Sequence, residues 1–145
     1  MASGMPFVYH DGGRASAGFK GEARDCVTRA VAIATGLPYR EVYDSLDSAS
    51  LHERPRQGKQ RSSARTGVWK QTLRRFMEER DWLWTPTMSI GSGCTVHLRS
   101  GELPMGRLLV SVSRHVVAVI DGVVMDTYDP TRDGTRCVYG YYAKD

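Results

Sequence analysis

Two β-branched runs, "HVVAVI" and "VVMDTY", meet at Asp121-Gly122, and this junction restricts the fold more than any other feature of the chain. Asp-Gly between apolar runs favours a tight two-residue turn, which makes the flanking runs adjacent antiparallel strands. With Asp121 and Gly122 as the turn, Val117 lies opposite Asp126 and His115 opposite Tyr128. Side chains alternate along a strand, so these four share one sheet face and Asp126 is the diagonal neighbour of His115. Asp121 is expected to point to solvent, and Asp129, before Pro130, to shape the next turn. A carboxylate inside "VVMDT" is unfavourable unless paired, so a contact between Asp126 and the His115 imidazole is the expected solution. "RLLVSVS" before the hairpin and "RCVYGYY" after it extend the pattern to a small antiparallel sheet.

The first half of the chain has a different period. "CVTRAVAIAT" carries apolar residues on nearly every side, which predicts a central helix from Cys26 to Thr35. Asp25 is the expected N-cap and Gly36 the left-handed stop. Pro38 opens a second helix in "LPYREVYDSL", and helical spacing of Val68, Leu73, Phe76 and Met77 predicts a third over about 67–80, capped by Thr66. Helices first and strands later read as α+β, in one domain over residues 1–145. Residues 1–24 are Gly-rich and read as an extended arm, with "MASG" as an added leader before Met5. Residues 47–66 have no period and read as a basic, mobile loop.

The chain has 145 residues, 41% of them hydrophobic, which is ample for one core. No apolar run approaches the ~20 residues that span a bilayer, and no basic-then-apolar leader is seen, so neither membrane nor secretion is expected. The net charge of +4 is concentrated. Residues 52–75 hold eight of the twenty Lys and Arg and one acid, Glu53, whereas the remainder has twelve bases and fifteen acids. That segment suits a solvated surface or a docking face for an acidic partner or nucleic acid. Base stacking is not expected, since Trp69 is its one aromatic residue.

Three cysteines, Cys26, Cys94 and Cys137, do not make a disulfide framework and predict free thiols in a cytoplasmic protein. No Cys/His pair has zinc spacing, so no metal or cofactor is expected. Cys26 stands at a helix N-terminus, where unpaired N–H groups favour a thiolate. Among the histidines, His10 lies in the arm, His52 in the basic loop, and His97 in "TVHL" with no acid beside it. His115 is left as the imidazole, with Asp126 to orient it.

A cysteine opening a central helix, then a strand histidine, then an acid on the next strand, resembles the papain-like cysteine hydrolase superfamily. "RDCVTRAVAIATGLPYREVY" with "HVVAVIDGVVMDTYD" looks like small bacterial and phage proteins of that type. The resemblance implies a papain-like fold with Cys26 as nucleophile, His115 as acid–base and Asp126 as orienting acid. An aspartate in the third role is similar to transglutaminases and N-acetyltransferases. Lys20 stands where papain-type enzymes place the oxyanion glutamine, so Lys20 and Arg24 are the candidates near the oxyanion. The expected activity is peptide-bond hydrolysis on a peptide or protein, favouring an acidic one. The alternatives are acyl transfer, or a non-enzymatic module holding nucleic acid or an acidic protein through residues 52–75.

Overall fold

The Asp121-Gly122 junction turns as its sequence requires. Both residues have positive φ, 49° and 78°, and the ladder pairs Ile120 with Val123 and Ala118 with Met125. Continued one step, this register sets Val117 against Asp126, the arrangement anticipated above. The computed structural model describes residues 5–89 and 91–144; the "MASG" expectation and Ile90 of the "SIGSG" turn lie outside the described residues.

The elements follow in the order β1 (Phe7–Tyr9), α1 (Cys26–Thr35), α2 (Tyr39–Ser50), α3 (Lys70–Glu78), β2 (Trp82–Pro86), β3 (Arg107–Val112), β4 (His115–Ile120), β5 (Val123–Asp126) and β6 (Val138–Lys144). The fold is α+β. The sheet is larger than expected and mixed: six strands in the order β1-β5-β4-β3-β6-β2, with β1 parallel to β5. The N-terminal segment is therefore an edge strand, not merely an arm. Its Tyr9 pairs with Asp126, and the His10 N–H donates to the Asp126 carbonyl at 2.9 Å. β2 was also missed, because "WLWTP" pairs only with β6 at the other edge, where Pro86 costs no ladder bond.

Both faces of the central strands are covered, which explains why β3 and β4 read as unbroken apolar runs. On one face Leu109, Ala118 and Tyr142 pack against Val27, Val31 and Ile33 of α1, Val42 and Leu46 of α2, and Leu73 and Phe76 of α3. On the other, Leu108, Val110, Val117, Val119 and Val124 form a second core closed by Leu98 and Met5.

Helix α1 ends at Gly36, left-handed with φ 78°, and the Arg107 guanidinium donates to the exposed carbonyls of Ala34 and Ile33 at 2.8 and 3.0 Å. That satisfies helix-end acceptors and ties α1 to β3. Two helix starts differ from expectation. Pro38 is the residue before α2, and Trp69, not Thr66, precedes α3.

The segment expected as a loop from residue 47 begins as helix, since α2 runs to Ser50. Beyond it, polar contacts with no period hold the chain. Glu53 accepts from the Ser62 N–H at 2.8 Å and from the Ser62 and Thr72 hydroxyls. The Ala64 N–H donates to Asp47 and its carbonyl accepts from Thr28 of α1, while Arg65 donates to the Lys20 and Glu22 carbonyls. Residues 54–61 between these anchors are exposed.

Cys94 and Cys137 correct the free-thiol expectation: they form a disulfide, with Cα atoms 5.8 Å apart. The β-bridge between His97 and Cys137 brings together the two segments, whose cysteines are 43 residues apart. The thiol argument for a cytoplasmic protein therefore lapses. Among the described residues, no helix is long and apolar enough to cross a membrane.

Gly140 on β6 is a close approach, where an added Cβ would run into the Trp84 ring and stand 2.8 Å from the Thr85 carbonyl oxygen. Gly140→Ala should therefore destabilise the fold by about 1–3 kcal/mol, the usual scale of overpacking. Urea unfolding should show a lower midpoint at unchanged slope; an unaltered midpoint would mean Trp84 can leave β6 without cost.

Candidate active site

The hairpin register sets a buried His115 beside a buried Asp126, and their side chains meet: His115 Nε2 lies 2.6 Å from Asp126 Oδ2. Tyr128 flanks the imidazole, its ring centroid 5.3 Å away. With Nε2 engaged, Nδ1 is the ring nitrogen left for Cys26, whose sulfur lies close enough to the imidazole for each group to shift the other's pKa. Cys26 is half-buried and the one free cysteine among the described residues. It is the first residue of α1, where the helix's initial N–H groups have no intrahelical acceptor.

Strand alternation groups His115 with Val117 and Val119, residues of the second core, rather than with the α1-facing Ala118. The imidazole approaches Cys26 from the first position of β4, next to the Val116 backbone. The β4–β5 ladder stops at Ala118–Met125, and β5 continues to Asp126 paired with β1 instead. The third member of the set therefore depends on the N-terminal strand.

The electrostatics favour a thiolate–imidazolium pair. Burial pushes the Cys26 thiol up, but the hydrogen bond and charge of His115, the Val116 N–H and the Arg29 guanidinium together hold it below the ordinary thiol value. Burial pushes His115 down, and Asp126 with Cys26 more than reverses this, raising it to about 9.

Sequence reasoning missed Arg29. Its Nη1 sits 3.3 Å from Asp126 Oδ1, an oxygen that also accepts from the Thr127 N–H at 2.7 Å. Its Nε stands 3.1 Å from Asp25 Oδ1, an ion-pair distance without a formed hydrogen bond. Asp25 holds the N-cap position as expected, its carbonyl accepting from the Arg29 N–H at 2.9 Å, but its carboxylate makes no capping bond and instead takes the Tyr39 hydroxyl at 2.6 Å and Arg14 at 3.4 Å. Burial, with Asp25 alongside, pushes the Tyr39 phenol up. The available signal was spacing: Asp25 and Arg29 are four apart, neighbours across one helical turn.

Lys20 and Arg24 are exposed, and the contacts they make near the site are through their backbones, to Arg65. The cation that acts on the Cys26 sulfur is Arg29. Asp121 is an exposed turn residue as expected, and its carboxylate also accepts from the Gly106 N–H at 2.9 Å. Asp129 forms its turn as expected, accepting from the Thr131 N–H.

His97 does have an acid. Glu102 Oε1 lies 3.1 Å from its Nδ1, and Cys94 Sγ lies 3.5 Å from its Nε2. This is a second cysteine–histidine–acid cluster, but its sulfur is bonded to Cys137 and is not a nucleophile in that state. Among the described residues no group of three or more His, Cys, Asp or Glu is placed to hold a metal. In comparisons with protein-family models, curated proteins and solved structures, none matches the chain.

The charged pair makes a signed pH prediction. Alkylation of Cys26 should persist below the ordinary thiol range near ~8.5, and His115→Ala should move its midpoint upward, because burial is then no longer offset. The raised His115 value also stabilises the fold fully below its unfolded value of ~6.5 and loses that contribution as pH rises through about 9. Iodoacetamide rates mapped by peptide mass across pH test the first part; identical profiles for the two proteins would break the pair.

Arg29→Met leaves Asp25 and Asp126 facing an apolar side chain, and removing one partner of a buried ion pair costs about 3–5 kcal/mol. Arg29→Lys should recover part of this, since one ammonium cannot span both carboxylates as a guanidinium does. Thermal unfolding of the two variants tests the ranking, which fails if Met is tolerated as well as Lys.

Proposed function

We propose that this protein is a papain-like, cysteine-dependent hydrolase that cleaves an amide bond, most readily in a peptide or protein. The observation that carries the reading is the buried His115–Asp126 pair beside the one free cysteine among the described residues, Cys26 at the start of α1; Asp126 occupies Nε2 and leaves Nδ1 for the thiol. A nucleophile, an acid–base and an orienting acid in contact are the minimum set for acyl transfer through a covalent intermediate.

The Cys26 thiolate attacks the carbonyl carbon, forming the C–S bond as the carbonyl pair moves onto oxygen. The Cys26 N–H, at the start of α1, is the donor proposed for that oxyanion. The His115 imidazolium passes its Nδ1 proton to the leaving nitrogen as the C–N bond breaks, giving a thioester. His115, now neutral, takes a proton from water, whose oxygen attacks the thioester; the C–S bond breaks and the thiolate returns. Asp126 stays ionised throughout and holds the imidazole by Nε2. An amine in place of water would give acyl transfer by the same steps.

A pool of fluorogenic peptide amides and a thiol-directed acyl electrophile test the proposal. Turnover should be bell-shaped in pH, falling on the acid side with thiolate loss and above about 9 with loss of the His115 proton. Cys26→Ala should abolish turnover and labelling, and Asp126→Asn should lower turnover ~10²–10⁴-fold by destabilising the imidazolium. Folded protein in which Cys26 is no more reactive than in urea would end the catalytic reading.

A further inference from the structure

The basic charge of residues 52–75 is not scattered over the surface. A depression of about 720 Å³ lies between α2 and α3, edged by Arg54, Arg56 and Arg75, and a second of about 650 Å³ is edged by Arg56, Lys59, Arg61 and Lys70. The two share Arg56, Trp69 and Gln71, so they adjoin and form one track. Cys26, His115 and Asp126 line neither.

Glu79 also lines the first depression and pairs with Arg75, but two features leave the rest of the track positive. The acid within the segment, Glu53, is turned inward onto Ser62 and Thr72; burial pushes its pKa up, but those hydroxyls and the Ser62 N–H hold it below the usual carboxylate range. Among the described residues, Arg54, Arg56, Lys59, Arg61 and Lys70 have no carboxylate within ion-pair distance. Such a row of free cations concentrates an extended polyanion at its surface.

We propose that this track binds nucleic acid by its phosphate backbone, without reading sequence. Trp69 argues against base recognition: Arg56 and Lys59 already stand over its ring, 5.2 and 4.9 Å from the centroid, and its Nε1 donates to the Gln60 carbonyl. It serves to hold two cations in place rather than to stack a base. An acidic peptide is the weaker occupant. Peptide grooves draw affinity from sheet edges or apolar pockets, whereas the sheet edges β1 and β2 do not line this track, and Arg80 covers Phe76 at 3.6 Å. The proposal does not rest on the thiol chemistry, so each can fail alone.

Fluorescence anisotropy with labelled 20-nucleotide duplex and single-stranded probes of mixed sequence tests it, with polyglutamate as competitor. About four phosphate contacts predict a loss of roughly 10²-fold in affinity between 50 and 200 mM salt. Affinity should not depend on probe sequence. Arg56→Gln with Lys59→Gln and Arg61→Gln should flatten the salt slope by about three, while Arg56→Lys with Arg61→Lys keeps most of it. Cys26→Ala should bind like the parent protein, and the Gln variant should keep the parent's Cys26 alkylation rate, which shows it is folded. Absence of binding at 50 mM salt, an unchanged slope in the Gln variant, or displacement by polyglutamate at lower charge concentration than by nucleic acid would each overturn the proposal.

Discussion

Arg29 is the residue through which the helical and sheet layers hold each other in register. Its guanidinium lies between two carboxylates, Asp25 and Asp126, each about 5% exposed, one just before the helix and one at the end of β5. Burying either carboxylate alone would cost several kcal/mol, and the Coulombic return depends on geometry. Rotating or sliding α1 would separate Arg29 from Asp126 and leave that buried carboxylate without its guanidinium, held by His115 and the Thr127 N–H. The apolar contacts of Val27, Val31 and Ile33 would tolerate such a shift, because hydrophobic attraction has no direction. The ion pairs would not. At the opposite end, Arg107 holds the last carbonyls of α1, so both ends of the Cys26 helix are tied to the sheet by arginines.

The same contacts decide the charge state of the site. A half-buried thiol and a buried imidazole would both prefer neutrality if burial acted alone. Asp126 reverses this for His115, and His115 reverses it for Cys26. The exposed cluster of Cys94, His97 and Glu102 has similar groups without that arrangement: its sulfur is held in a disulfide and its imidazole faces solvent more freely. Composition does not separate the two clusters. Helix position, burial and the state of the sulfur do.

What could be read from the residues alone was what local rules govern. The Asp-Gly turn fixed the hairpin, the hairpin fixed the register, and the register set His115 beside Asp126. Contacts between distant parts of the chain could not be read. β1 is three residues long, too short for a period, and it becomes a strand because β5 offers a parallel edge more than a hundred residues later. Arg29 and Asp126 are 97 residues apart, and neither local spacing nor propensity predicts their meeting. The Cys94–Cys137 bond and the His97–Glu102 contact were missed for different reasons. The first spans a long loop, while the second lies in a turn whose geometry carries no hydrophobic pattern. The segment after α2 is held by hydroxyls and carboxylates, which leave no period to detect.

Charge of opposite character is thus kept in two places. Inside, alternating Arg14, Asp25, Arg29, Asp126 and His115 form a chain of pairs in which each cation faces an anion. Outside, Arg54, Arg56, Lys59, Arg61 and Lys70 face water without an ion-pair partner among the described residues, Glu53 being turned onto Ser62 and Thr72 while Glu79 pairs with Arg75. The link between the two regions is short: Ala64 bonds Thr28 in the first turn of α1, and Arg65 clamps the chain leading into Asp25. The interior pairs use charge for position, since desolvated partners lose much if they separate. In the role proposed for it, the surface track would use charge for attraction at a distance, which salt screens within about a Debye length. Added salt should therefore weaken the proposed binding to the track while leaving the buried His115–Asp126–Arg29 contacts in place.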